Sequence, residues 1–116
     1  MLFRSRRSRR YEDWALDQVM GNDWRAVLEA GAAIGRFSAR DWIGAVDCPT
    51  AVILTGRDHI VSPRRQQRLL ESIPGAAAFR IDADHDACVV AADVFVPALV
   101  QACDTVTGAR GTQAVS

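Results

Sequence analysis

The stretch Thr50-Ala-Val-Ile-Leu-Thr-Gly-Arg-Asp-His-Ile-Val-Ser-Pro63 decides how the chain is read. Its apolar run, Ala51 to Leu54, lies between two breakers, Pro49 and Gly56. A short, partly β-branched run bounded in this way reads as a strand buried on both faces, of the parallel-sheet kind. A turn carrying Asp58 follows, and Ser62-Pro63 then opens a helix. Ser62 suits the cap of that helix, and Pro63 suits its first position, where no backbone N–H is needed. A carboxylate on the loop leaving the carboxyl end of such a strand stands where open α/β sheets place their chemistry.

Downstream, the helix is expected from Pro63 to about Ile73, with Leu69, Leu70 and Ile73 turned inward and Arg64, Arg65 and Arg68 forming a solvated face. Pro74-Gly75 stops it, and a second strand is expected over about Ala77 to Asp82. Strand, helix and strand at this spacing make a βαβ unit with parallel strands, whose crossover should be right-handed. A last helix is expected from near Asp93 to about Val106, with Pro97 close to its first turn, where proline is tolerated.

Parallel neighbours put Asp58 and His85 on loops at the same edge of the sheet. There a carboxylate can accept a hydrogen bond from one imidazole nitrogen, fix the tautomer and leave the other nitrogen as a base, as in a catalytic triad. Their separation leaves room for one crossover helix and one strand. His59, beside the acid, reads as a loop residue or as a substrate contact. Cys88 lies near His85 in sequence, but it follows the base on the wrong side of such a site to serve as a nucleophile.

Upstream, residues 11–46 read as helical. Asp13-Trp14, Asp23-Trp24 and Asp41-Trp42 each fit a helix start, with the aspartate capping free N–H groups and the tryptophan in the first turn. The first helix is expected from Trp14 to Met20, ended by Gly21. The second is expected from Trp24 to about Ile34, with Val27, Leu28 and Ile34 on one apolar face, and the third covers a turn or two near Trp42 to Val46. The tryptophans read as packing residues, with a pocket wall as the alternative.

The 116 residues suffice for one domain with a core, and the hydrophobic fraction of 49% excludes global disorder. Formal net charge is zero, which gives no general attraction to nucleic acid or to acidic membranes. All 14 residues in the Lys-plus-Arg count are arginine, five of them in residues 1–10. That start reads as a frayed, solvated end, as a nucleic-acid arm, or as the interior of something longer. The three cysteines, Cys48, Cys88 and Cys103, lack both CxxC spacing and an even count, so they read as small buried hydrophobes in a reducing cytoplasm. Their spacing supports no zinc site and no other metal or cofactor is implied. No apolar run approaches the roughly 20 residues needed to span a bilayer.

Residues 48–63 resemble the late strand of the α/β-hydrolases, with a proline entering the strand, an aliphatic run, a glycine, the acid and a Val-x-Pro. Gln66 to Ala76, ending Ile-Pro-Gly-Ala, is similar to the next helix of that family, His85 matches its histidine, and Phe95 to Val100 its terminal helix. The similarity spans about residues 46–106, and the order of acid before histidine is that of the family. The resemblance implies an α/β fold, a partial α/β-hydrolase: N-terminal helices as a cap remnant, followed by a β-α-β-α unit with parallel strands. In this reading residues 1–10 are a disordered arginine-rich start, 11–46 the cap remnant, 47–107 the C-terminal hydrolase portion and 108–116 a flexible tail.

Asp58 would be the triad acid and His85 the triad base, acting on an ester or related carbonyl bond of a small-molecule substrate. Ala83-Asp84 replaces the glycines that commonly precede the family's histidine, so Asp84 and Asp86 are placed to alter its pKa or compete for its hydrogen bonds. The sequence contains no Gly-x-Ser-x-Gly, the elbow that carries the nucleophile. The chain is therefore expected to correspond to the C-terminal portion of a longer protein and to be inactive alone. The alternative is a non-catalytic interaction module that pairs with a second copy, or with a complementing chain, through an open sheet edge.

Overall fold

The computed structural model describes residues 6–113, with side chains described for 9–108. The chain divides between Ala39 and Arg40 into two compact units. The first holds two helices, α1 (Arg6–Gly21) and α2 (Trp24–Arg36). The α1 helix begins eight residues before the expected Trp14, because nothing between Arg6 and Met20 breaks a helix and arginine is a good helix former. Asp13 is therefore inside a helix rather than at its start. Asp23 does cap α2: its carboxylate accepts from Arg25 N–H at 2.9 Å. Phe37 closes the other end, its N–H donating to the Ala33 and Ile34 carbonyls.

The α2 helix buries no residue. Val27, Leu28 and Ile34 lie on one stripe as expected, yet all three are exposed. Trp14, Trp24 and Trp42 are likewise exposed, at 57, 57 and 55%, which corrects their reading as packing residues. Among the described residues the one ring contact of Trp14 is with Tyr11, tilted, at 5.8 Å between ring centroids.

The second unit carries a 3₁₀ turn (Ile43–Ala45), β1 (Ala51–Thr55), α3 (Pro63–Ser72), β2 (Ala77–Ile81), the short α4 (Ala87–Val90) and α5 (Ala92–Gln113). Trp42, not Asp41, occupies the cap position of the 3₁₀ turn, and no side chain bonds there. The two strands are parallel, in register from Ala51 opposite Ala77 to Thr55 opposite Ile81. The expected β-α-β-α order is present, giving a mixed α/β unit around a two-stranded sheet.

The α5 helix packs across both strands and α3 packs on β1. Ile81, Ala83, Ala87 and Ala98 form the core, with Ile53, Ala91 and Phe95 packed against it. Leu54 alternates to the other face. Its register partner Arg80 reaches Gln67 of α3 there, at 2.7 Å. Only Leu54 of β1 is fully buried, so the strand is less enclosed than its apolar run suggested. The reason is lateral: among the described residues each strand has a neighbour on one side only.

Turn chemistry sets the boundaries. At the end of α3 the Ala76 N–H returns to the Ile73 carbonyl at 3.3 Å, and Gly75 has φ +70. Proline first and a left-handed glycine second make a type II turn, which delivers the chain to β2. Ser62 stands at the cap position of α3 but makes no side-chain cap bond; its carbonyl accepts from Arg65 and Gln66 N–H. Pro97 sits inside α5, beyond the first turn. That helix continues past Val106 to Gln113, and the Thr105 and Thr107 hydroxyls donate to the Gln101 and Cys103 carbonyls of the helix itself. The disordered start and flexible tail expected for 1–10 and 108–116 fall partly on 1–5 and 114–116, outside the described residues.

Candidate acid–base site

The loops leaving β1 and β2 are joined beyond the last register pair. Gly56 N–H donates to the Ile81 carbonyl at 2.9 Å and Arg57 N–H to the Ala83 carbonyl at 3.0 Å. The Arg57 guanidinium spans the same gap, bonding the Asp82 carbonyl at 2.9 Å and its carboxylate at 2.8 Å. These contacts bring Asp58 and His85 side by side, with Asp58 Oδ2 3.1 Å from His85 Nδ1.

Asp58 is buried and fully engaged. Its Oδ1 accepts from Ile60 N–H at 2.8 Å and from Val61 N–H at 2.7 Å, and its Oδ2 accepts from the Thr55 hydroxyl at 2.8 Å as well as from His85. Burial alone would raise its pKa, but the Val61 N–H, the Thr55 hydroxyl, His85 and the Ile60 N–H together hold the carboxyl well below the usual range. An ionised carboxylate can only accept, so His85 Nδ1 must carry the hydrogen. In the neutral ring Nε2 then holds the lone pair. The His85 side chain is 53% exposed, and among the described residues Nε2 has no partner. The arrangement sets the tautomer from behind and leaves Nε2 with a lone pair that can accept a proton.

A second pair crosses the first. His59 Nδ1 is 2.7 Å from Asp84 Oδ2, and Asp84 Oδ1 accepts from the N–H groups of His59, at 3.0 Å, and His85, at 2.7 Å. The His85 and His59 N–H groups, and the His59 ring, lower the Asp84 pKa against the opposing effect of burial. Asp84 thus binds the backbone of His85 and leaves its ring to Asp58. Asp86 stands at the cap position of α4 without a side-chain cap bond.

Gln66, the one buried side chain of α3, completes the frame. Its Oε1 accepts from Thr55 N–H at 2.8 Å, while Nε2 donates to the Thr55 carbonyl at 3.1 Å and the Val61 carbonyl at 2.7 Å. The amide therefore pairs with the free edge of β1 as a neighbouring strand would. Nε2 also reaches the Thr55 hydroxyl at 3.1 Å. That hydroxyl has one hydrogen, given to Asp58, so it accepts from Gln66. Sequence reasoning passed over Gln66 and Thr55, yet a signal was present. Gln66, Leu69, Leu70 and Ile73 recur at i, i+3, i+4 and i+7, which puts a polar amide on the stripe expected to face inward. Gln66 and Ile73 are buried and Leu70 half-buried, whereas Leu69, expected inward, is exposed at 44%.

Cys48, Cys88 and Cys103 are free and exposed, not buried as expected. Among the described residues, no group of three or more His, Cys, Asp and Glu side chains is placed to hold a metal ion. No helix of the described residues is long and apolar enough to cross a membrane. No family model, curated protein or solved structure matches the chain.

Proposed function

We propose that this chain carries the acid and base of a Ser-His-Asp site of the α/β-hydrolase kind, acting on an ester or related carbonyl bond of a small molecule. The observation that carries the reading is the 3.1 Å contact between a buried, ionised Asp58 and His85 Nδ1, with Nε2 left open toward solvent. In such a site Nε2 takes the proton of an attacking serine and returns it to the leaving group, while Asp58 steadies the imidazolium. The parallel β-α-β-α order around the pair, and the resemblance of residues 48–63, support the same reading. A serine on a Gly-x-Ser-x-Gly elbow, absent from this sequence, would come from sequence beyond it or from a complementing chain.

One observation favours a second reading, the interaction module. Large apolar side chains are exposed on α2 (Leu28, Ile34) and α5 (Val96, Val100), and β2 has no second strand beside it among the described residues. Such surfaces pair readily with another chain.

The deciding experiment captures the protein from its source cell with an antibody against α5, measures its intact mass, and treats it with a fluorophosphonate, which labels activated serines. Labelling of a captured serine that falls about 10⁴-fold in rate when Asp58→Asn is introduced is the expected result. A captured species of 12.7 kDa with no labelled serine in it or in any bound partner overturns the hydrolase reading and leaves the interaction module.

A further inference from the structure

We propose that Asp84 is a positioning residue for His85, holding the base in place by binding both loops of the site at once. The inference rests on the Asp58–His85 reading and adds the means by which the histidine is held. Among the described residues the His85 ring has one bond, to Asp58, and more than half of its surface is exposed, so ring packing does little to fix it. Its main chain must be fixed instead. A single oxygen of Asp84 accepts the N–H groups of His85, at 2.7 Å, and of His59, at 3.0 Å. Those two residues are the sequence neighbours of Asp84 and of Asp58. The bridge therefore fixes the separation of the two loops at the point where the acid and the base face each other.

The other Asp84 oxygen takes the His59 ring at 2.7 Å. Two aspartate–histidine contacts then run in opposite senses, Asp58 to His85 and Asp84 to His59. Arg57 and Asp82 close the same seam on its outer side. Ionised Asp84 also cannot donate to Asp58, so it completes the frame without competing for the bond that sets the His85 tautomer.

The test is nitrogen-15 and proton NMR of the histidine rings in the 116-residue chain. Wild type should show a slowly exchanging His85 Nδ1–H that Asp58→Asn removes. Its absence from wild type would overturn the acid–base reading itself. Asp84→Ala should lose that resonance while far-UV circular dichroism is retained, and Asp84→Asn, which keeps one oxygen for both N–H groups, should restore it. An unchanged resonance in a folded Asp84→Ala protein overturns the positioning role and leaves the acid–base reading standing. Should Asp84→Ala fail to fold, Asp84→Glu decides: moving the acceptor by one methylene should speed Nδ1–H exchange about tenfold, the equivalent of one hydrogen bond to a charged group. An unchanged rate overturns the proposal.

Discussion

Replacing Gln66 by leucine should unfasten the end of β1 and loosen the acid's loop at the same time. The leucine fills nearly the same volume, so packing changes little, and the loss falls on three main-chain groups: the Thr55 N–H, the Thr55 carbonyl and the Val61 carbonyl. Each such bond contributes about 1 kcal/mol net, giving about 3 kcal/mol for the set. Thr55 is only half-buried, so water recovers part of this, and about 2–3 kcal/mol is expected. In hydrogen exchange, the Thr55 amide should then open about 30- to 150-fold more often, since each 1.4 kcal/mol is tenfold. Urea unfolding of the same variant supplies the equilibrium value. A Gln66→Leu protein within about 0.5 kcal/mol of wild type, the range of ordinary surface changes, would refute the idea that this amide closes the strand edge. Gln66→Glu adds a control with a defined sign. Ionised, the new carboxylate faces two carbonyl oxygens, so its folded pKa is raised above the unfolded value of about 4.3. The protonated form is the stable one, and stability should be lost as pH rises through the folded pKa.

Three further outcomes follow from the same structure. Asp58 and Asp84 both have depressed folded pKa values, so their stabilisation is present above the unfolded carboxylate range of about 4 and is lost as pH falls below it; urea midpoints should be flat from neutral pH down to that point and then fall, less steeply in Asp58→Asn. Ile81→Ala removes the largest side chain of the core cluster, of which 7% is exposed, and should cost about 2–5 kcal/mol by urea titration. Gly75→Ala meets no neighbouring atom within 4 Å, so its cost is that of φ +70 alone, about 1–2 kcal/mol, and a neutral result would mean the turn relaxes.

The second unit was legible because its signals are local. Pro49, Gly56, Pro63 and Pro74-Gly75 punctuate the chain, and β1, α3 and β2 each begin or end within two residues of one of them. The pairing of Asp58 with His85 follows from that punctuation, since parallel strands leave their loops at one edge. Other features depended on information that periodicity does not hold. Asp13 has the same neighbour as Asp23, but no breaker precedes it, so the helix runs through. The stripe of Val27, Leu28 and Ile34 is present and stays exposed, because a stripe announces the need for a partner surface without supplying one. His59 was ambiguous because its partner, Asp84, comes from the other loop, and nothing adjacent in sequence names it.

Asp58 and His85 are held unequally, and this makes the pair separable by mutation. Asp58 receives four donors, and only one of them comes from His85. Remove the His85 ring and Asp58 keeps Thr55, Ile60 and Val61, so the loop after β1 should stay closed. The ring itself is more than half exposed and contributes little burial. His85→Ala removes one hydrogen bond from a carboxylate that keeps three others, and should cost no more than about 1.5 kcal/mol in urea. Asp58→Ala instead strands two backbone N–H groups and the Thr55 hydroxyl, the buried side of the same contact, and should be clearly the less stable of the two in urea. The pair of variants distinguishes an acid built into the fold from a base displayed upon it. Equal losses from the two substitutions would mean that the histidine carries structural weight, and that its open Nε2 is a by-product of packing rather than a position kept free for proton transfer.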